Sequence, residues 1–366
     1  MNHLSLKTHE RMLLELLKAS FNNAAPAEEL FKNISQNDWY MCRELAIRQG
    51  VMALAWDGAM LLPKALQPYR QLKIKWGLAV EKYEQKYKTY CKIANELSSL
   101  YKSNHIDTIV LKGLGLSSFY PVPSHREGGD IDIYTYSADK NILDNDAANK
   151  LADELILQQG IKIKFKNIKH SEFFYKGIPI ENHKKFIAVD LYDSAISIEK
   201  YLEDVADAIT ARIDDAYDIM IPSDRFNMIF IPYHTMQHYG DGMTLHHLYD
   251  WASIIKRNGL KIPSEIKDKN FISFINNLTQ LANTVFGTEV SCEYSEKIQK
   301  EMMREIVCLP YSKYDIPKNK IGVFLFKTRR MLHRYNIRKK FFNESLYKTL
   351  GFAISYHIKN PDTTFK

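Results

Sequence analysis

Residues 106–134 read IDTIVLKGLGLSSFYPVPSHREGGDIDIY, and they divide into strand, turn and strand. Ile106 to Leu111 is a β-branched apolar run of strand length. Lys112-Gly113 follows, then small residues and the turn-rich Tyr120-Pro-Val-Pro-Ser. Arg126 and Gly128-Gly129 lead into a second strand, Asp130-Ile-Asp132-Ile-Tyr134. Residues two apart in a strand share a face, so Asp130 and Asp132 project together while Ile131 and Ile133 face the other way. Two carboxylates on one face repel unless a cation lies between them. Mg²⁺ is the expected cation, because it takes hard oxygen ligands and commonly uses one or two carboxylates plus substrate phosphates. Gly128 and Gly129 would let a ligand approach the backbone. Lys112-Gly113 offers a point charge and a bare backbone for phosphate oxygens, and Arg126 a forked contact. A third carboxylate is expected from Glu181, with Asp190 as the competing candidate.

Other phosphate and metal loops do not fit. There is no GxxxxGK[ST], and Gly113-x-Gly115 lacks the third glycine of a dinucleotide loop. The EF-hand pattern fails because Tyr134 stands at the third ligand position and no glycine follows at the sixth.

Outward from this island the periodicity is helical. Met12, Leu13, Leu16, Leu17 and Phe21 mark one helix, and Asp38 is expected to cap a second that closes at Gly50. Trp76, Val80, Tyr83, Tyr87, Tyr90, Ala94, Leu97 and Tyr101 alternate steps of four and three, a seam for another helix in this chain or in a second copy. Nothing in that helix looks chemical. After the island a helix is expected over 139–158, a short strand at Ile161–Phe165 and a hairpin over 171–182 turning at Lys176-Gly177. Helices return from about 196. The pattern predicts an α+β protein: a helical region over 1–103, a core with a small mixed sheet over 104–220, and a helical region over 221–366.

The composition is that of a globular protein, 45% hydrophobic and 25% charged. No apolar run approaches the roughly 20 residues needed to cross a bilayer, and the N-terminus lacks a secretory signal. Cys42, Cys91, Cys292 and Cys308 lie far apart, which excludes a zinc ribbon and argues against a disulfide scaffold. A reduced, cytoplasmic protein is expected. Between Lys318 and Lys348 stand ten Lys/Arg and one acid, +9 of a total of +7, so the rest of the chain carries −2. That segment is read as a helix with charges in water and aromatics packed inward. Its alternatives are binding of polyphosphate, nucleic acid or an acidic membrane surface.

The stretch VLKGLGLSSFYPVPSHREGGDIDIY (110–134) resembles the uncharacterised nucleotidyltransferase family of the polymerase-beta-like superfamily, which carries LKG, YP and R-x-x-GDxD followed by an apolar residue. DWYMCRELAIRQGVMALAW (38–56), IENH (180–183), YHTMQHYG (233–240) and HHLYDWASII (246–255) are similar to its flanks, so the likeness runs over roughly 35–260. The resemblance implies a polymerase-beta-like core and Mg²⁺-dependent transfer of a nucleoside monophosphate from an NTP, expected to be ATP, to an acceptor hydroxyl. Asp130, Asp132 and Glu181 would hold the metal, in a two-metal site if both positions fill, with Glu181 also able to take the acceptor proton. Lys112, Gly113, Arg126, Gly128 and Gly129 would contact nucleotide. Lys112-Gly113 replaces the superfamily's usual Gly-Ser. His183, His234, His238 and Asp250 are expected to prop the carboxylates or face substrate. His234, His238, His246 and His247 lack the HExxH glutamate, and hydrogen bonding within a helical bundle is favoured over zinc. The acceptor, a small molecule, a protein or RNA, is open. The alternatives are a non-catalytic nucleotide- or nucleic-acid-binding member, and a toxin–antitoxin enzyme acting on tRNA or a partner protein.

Overall fold

The computed structural model describes residues 6–165, 169–189, 193–206, 208–214, 217–240, 242–308, 315–342, 347 and 351. Asp190 and the end of the basic segment (343–346 and 348) lie outside the described residues. Four helices come first: α1 (Thr8–Asn22), α2 (Gln36–Arg48), α3 (Met52–Met60) and α4 (Arg70–Lys102). The apolar positions of α1 are buried as their spacing requires. Helix α2 corrects the expected cap. Ser35 is the capping residue, its hydroxyl accepting from the Asp38 N–H at 3.1 Å while Asp38 accepts from the Ser35 N–H. Asp38 is the reciprocal partner three residues on, because a carboxylate there reaches back to the first unpaired donor.

The sheet follows. Strands β1 (Ile106–Val110) and β2 (Ile131–Ser137) precede helix α5 (Asn145–Gln158), then come β3 (Ile163–Lys164), β4 (His170–Tyr175) and β5 (Ile178–His183). Their order is β1-β2-β5-β4-β3, with β2 and β5 parallel and every other pair antiparallel. The expected helix over 139–158 begins only at Asn145, since the Asp144 carboxylate accepts the Ala147 N–H and so caps it. The expected hairpin turns at Lys176-Gly177. Ile131, Ile133, Phe173 and Ile180 share one apolar cluster with Ala148, Ala152 and Ile156 of α5 and with Tyr90, Ala94, Leu97 and Tyr101 of α4.

Helix α6 (Asp193–Asp204) is followed by a hairpin, β6 (Ala208–Asp214) and β7 (Tyr217–Pro222), where only helices were expected. Its signal is the alternation of Ile219 and Ile221, both buried against α4 and β1. Helices α7 (Asp224–His238), α8 (Leu245–Asn258), α9 (Lys269–Phe286), α10 (Glu296–Cys308) and α11 (Lys320–Phe342) complete the fold. They merge with α1 and α3 in a second apolar cluster that also takes Ile109, Leu111 and Tyr134 from the sheet. The protein is therefore α+β, with helices from both ends of the chain packed together.

Two further expectations change. The α4 seam packs on helix α3 only toward its N-terminal end and on β1 and β7 beyond it: Trp76 donates to the Met52 carbonyl at 3.0 Å, and Leu97 and Tyr101 join the sheet cluster. Of the seam, Trp76, Val80, Tyr90, Ala94, Leu97 and Tyr101 are buried within the chain, while Tyr83 and Tyr87 are half-buried. In α11, Phe341 and Phe342 are buried but Phe324 is 56% exposed, so inward packing of its aromatics holds only for its C-terminal end. Among the described residues, no helix is long and apolar enough to cross a membrane.

Gly115 shows how tightly the β1–β2 connection is drawn. A Cβ there would lie 2.2 Å from the Val110 carbonyl oxygen, a backbone atom that cannot step aside. Gly115→Ala is expected to destabilise the protein by about 1–3 kcal/mol through overpacking, read as a lowered urea midpoint; an unchanged midpoint would contradict this packing.

Candidate functional site

Parallel pairing sets Ile131 beside Ile180, Asp132 beside Glu181 and Tyr134 beside His183. Because side chains alternate, the two isoleucines turn toward α4 and α5 while Asp132, Glu181 and His183 share the opposite face. The Leu111 N–H donates to the Asp132 carbonyl at 2.9 Å, which extends the β1 pairing and brings Lys112 beside the same carboxylate. Asp130, Asp132 and Glu181 thus converge, with a ligand oxygen from each within 4.8 Å of the others. Strand β5 is fixed from behind. Asn149 of α5 donates to Asn182 Oδ1 at 3.1 Å and to the His183 carbonyl at 2.9 Å, and Asn182 donates to Asp153 at 3.0 Å.

Burial opposes the charge on Asp132, yet the Lys112 ammonium at 2.9 Å and the His183 ring at 2.9 Å outweigh it and hold the carboxyl well below its usual range. Burial would likewise pull Lys112 down, but Asp132, Asp130 and Glu181 raise it. At Asp130, burial and then the neighbouring Asp132 charge push the pKa up, the signature of carboxylates crowded together, and the pull of Lys112 and Arg126 is the weaker influence. The donor set is all oxygen, which suits a hard divalent cation.

The loop carrying Asp130 is tethered residue by residue. His125 is 2.7 Å from Asp57 of α3 and 3.0 Å from Glu84 of α4, and these acids raise its pKa against the opposing effect of burial. The Glu127 carboxylate accepts the Ala53 N–H at 2.9 Å, at the N-terminus of α3. Lys86 donates to the Gly128 carbonyl at 2.7 Å and Tyr90 to the Gly129 carbonyl at 2.8 Å. Around Gly129 a Cβ would meet nothing within 4 Å, so the backbone there is open.

Arg126 departs from its expected place. Its fork closes on Asp250 of α8, Nε to Oδ1 at 3.2 Å and Nη2 to Oδ2 at 2.6 Å, while Nη1 donates to the Glu127 carbonyl at 2.7 Å. Tyr120 donates to the same Asp250 at 2.5 Å. The pair is buried, so Arg126 braces the loop against α8. Asp250 accordingly props this loop and not the carboxylates. His183 lies against Asp132, its Nε2 2.9 Å from Oδ1.

His234, His238 and His247 gather with ligand atoms within 4.8 Å of one another. Burial pushes His234 and His247 well below the ordinary imidazole range, and His246 down to about 3. Nearby Lys112 acts in the same direction on all three, joined by Lys169 at His234 and by Arg126 at His246 and His247. His247 Nδ1 accepts the Thr244 N–H at 3.1 Å, which caps α8. The neighbouring positive charges oppose a bound cation there, and the capping bond occupies His247 Nδ1.

The sequence reading overlooked residues that the fold brings in. Helix α4 supplies Glu84, Lys86 and Tyr90, which a helical seam does not single out. Strand β4 sets His170 opposite His183 and 3.5 Å from Glu181, and His170, Glu181 and His183 form a further cluster of metal-ligating atoms within 4.8 Å. Lys169 feels Asp132 and Glu181, but burial and then Lys112 lower it to about 8. Only antiparallel pairing across the hairpin could have pointed to these two.

Residues 35–287 match the family described as uncharacterised nucleotidyltransferase. No curated protein matches the chain. The crystal structure of an antigenic nucleotidyltransferase-like protein from Paracoccidioides brasiliensis is similar over 56% of this chain and 94% of that one. At 14% identity and a TM-score of 0.37, that overlap is too loose to bear on either fold or activity.

Two measurements check the loop's bracing. Asp250→Asn leaves the buried Arg126 without its charge partner and is expected to cost about 3–5 kcal/mol in urea unfolding; a loss below about 1 kcal/mol would contradict a buried pair. The raised His125 pKa makes its contribution fully present below the unfolded value of 6.5 and lost as pH climbs through the folded value. The Tm gap between wild type and His125→Gln should therefore be widest just below pH 6.5 and narrow on the alkaline side; a gap that widens with pH would reverse the sign.

Proposed function

The chain belongs to the uncharacterised nucleotidyltransferase family, and from that premise we propose that residues 104–220 form a polymerase-beta-like core that transfers a nucleoside monophosphate from an NTP, ATP by preference, to an acceptor hydroxyl. The observation that carries this reading is the convergence of Asp130, Asp132 and Glu181 on one face of β2 and β5, with Lys112 against them. Asp130 and Asp132 hold Mg²⁺ with Glu181 as third ligand. Bound there, Mg²⁺ neutralises phosphate charge and lowers the pKa of the acceptor hydroxyl.

The chain's own groups do the rest. Lys112 gives one N–H to Asp132 and has two left for phosphate oxygens. Lys169, at about 8, is mostly protonated at pH 7 and adds a second positive charge near Asp132 and Glu181. The open backbone at Gly129 leaves room for the triphosphate. The acceptor oxygen bonds to the α-phosphorus as the bond from that phosphorus to the bridging oxygen breaks, pyrophosphate leaves with the electron pair, and Glu181 takes the hydroxyl proton. His183 holds Asp132 in place.

Calorimetric titration of ATP, then GTP, CTP and UTP, with and without Mg²⁺, tests this. Metal-dependent binding of one nucleotide is expected, weakened at least about 100-fold in Asp130→Asn/Asp132→Asn, since charge-assisted contacts to two metal ligands are lost. Equal binding by the double variant would overturn the assignment of these carboxylates.

A further inference from the structure

The outer face of α11 is apolar where a solvated helix would be polar. Ile321 is 75% exposed, Phe324 56%, Leu325 48% and Leu332 45%. Ile321, Leu325, Thr328 and Leu332 advance by four, three and four residues, so with Phe324 they form one stripe along the helix. The opposite face is the anchored one. Val323 and Ile337 are buried, and Phe341 packs against Tyr239 and Phe274 with ring centroids 5.6 and 5.2 Å away. The stripe is therefore not a core face lacking its core, because the helix already has one.

Charge flanks the stripe on both sides. The helix carries eight Lys/Arg and no Asp or Glu. Lys318, Lys320, Arg329 and Lys339 are exposed. At 100° per residue, Lys320 and Lys327 fall on one side of the stripe and Arg329 and Lys340 on the other. Among the described residues, α10 supplies two acids to this helix, Glu301 to Lys340 and Glu305 to His333.

We propose that α11 is a membrane-surface helix, its Ile321–Phe324–Leu325–Leu332 stripe entering the acyl boundary of an anionic bilayer while the flanking lysines and arginines meet the lipid phosphates. Apolar side chains flanked by cations are what an interfacial helix presents to acidic lipid. A second copy of the chain fits poorly, because two such helices, each rich in cations and neither carrying an acid of its own, would bring like charges together. Nucleic acid would use the cations but gain little from Ile321, Leu325 and Leu332, which offer neither stacking rings nor hydrogen bonds. The surface lies outside the carboxylate site and stands whether or not that site turns over nucleotide.

Flotation of the full chain with vesicles of phosphatidylcholine alone, and of phosphatidylcholine with phosphatidylglycerol, decides it. Binding is expected to the anionic vesicles, at least about tenfold weaker to neutral ones and weakened by salt. Phe324→Ser/Leu325→Ser should lower binding to anionic vesicles about tenfold or more, with the circular-dichroism spectrum and Tm unchanged because both side chains face outward. Absence of binding to anionic vesicles, or binding indifferent to the double substitution, overturns the proposal. So does a dimer in light scattering that the substitutions dissolve, or RNA binding lost in Arg329→Glu but kept in the Phe324/Leu325 variant while vesicles are ignored.

Discussion

Parallel pairing of β2 with β5 in a single register sets Asp132 beside Glu181, and the rest of the site follows from it. At about 4.8 Å and an effective dielectric of about 20, each pair of like charges costs about 3 kcal/mol. Lys112 and His183 offset this at Asp132 but leave Asp130 crowded. A slip of one residue would bring Asn182 or Ile180 opposite Asp132 and turn Glu181 toward the apolar face. The buried amides of Asn149 and Asn182 guard against that slip, because a shifted strand would leave them without partners.

The loop from Tyr120 to Asp130 is the second half of the arrangement. Three helices hold it: α8 through Asp250, α3 through Asp57 and its own N-terminus, and α4 through Glu84, Lys86 and Tyr90. Helices distant in sequence thus place one carboxylate. Helices that precede and follow the sheet in the chain share one apolar cluster, so substitutions far from Asp130 would be felt there.

The strands that carry Asp132 and Glu181, with Asp130 one residue ahead of β2, were legible because β-branched runs and period-two alternation are local signals. The hairpin at Lys176-Gly177 was legible for the same reason. Ser35 was overlooked as a cap because Asp38 has equally good capping chemistry, and only the backbone decides between them. Arg126 was read as a phosphate fork because sequence shows a guanidinium beside a glycine pair, while its partner Asp250 is 124 residues away. The β6–β7 hairpin was hidden by the helices around it. Roles of α4 residues were invisible in a seam whose periodicity reports burial and not the carbonyls that Lys86 and Tyr90 reach.

The central claim is that the oxygen cluster on β2 and β5, and not the imidazole cluster on α7 and α8, takes a divalent cation. Anomalous diffraction from crystals soaked in Mn²⁺, a hard-ligand stand-in for Mg²⁺, addresses it directly. A peak bounded by Asp130, Asp132 and Glu181 is expected. A peak among His234, His238 and His247, with none at the carboxylates, would contradict it.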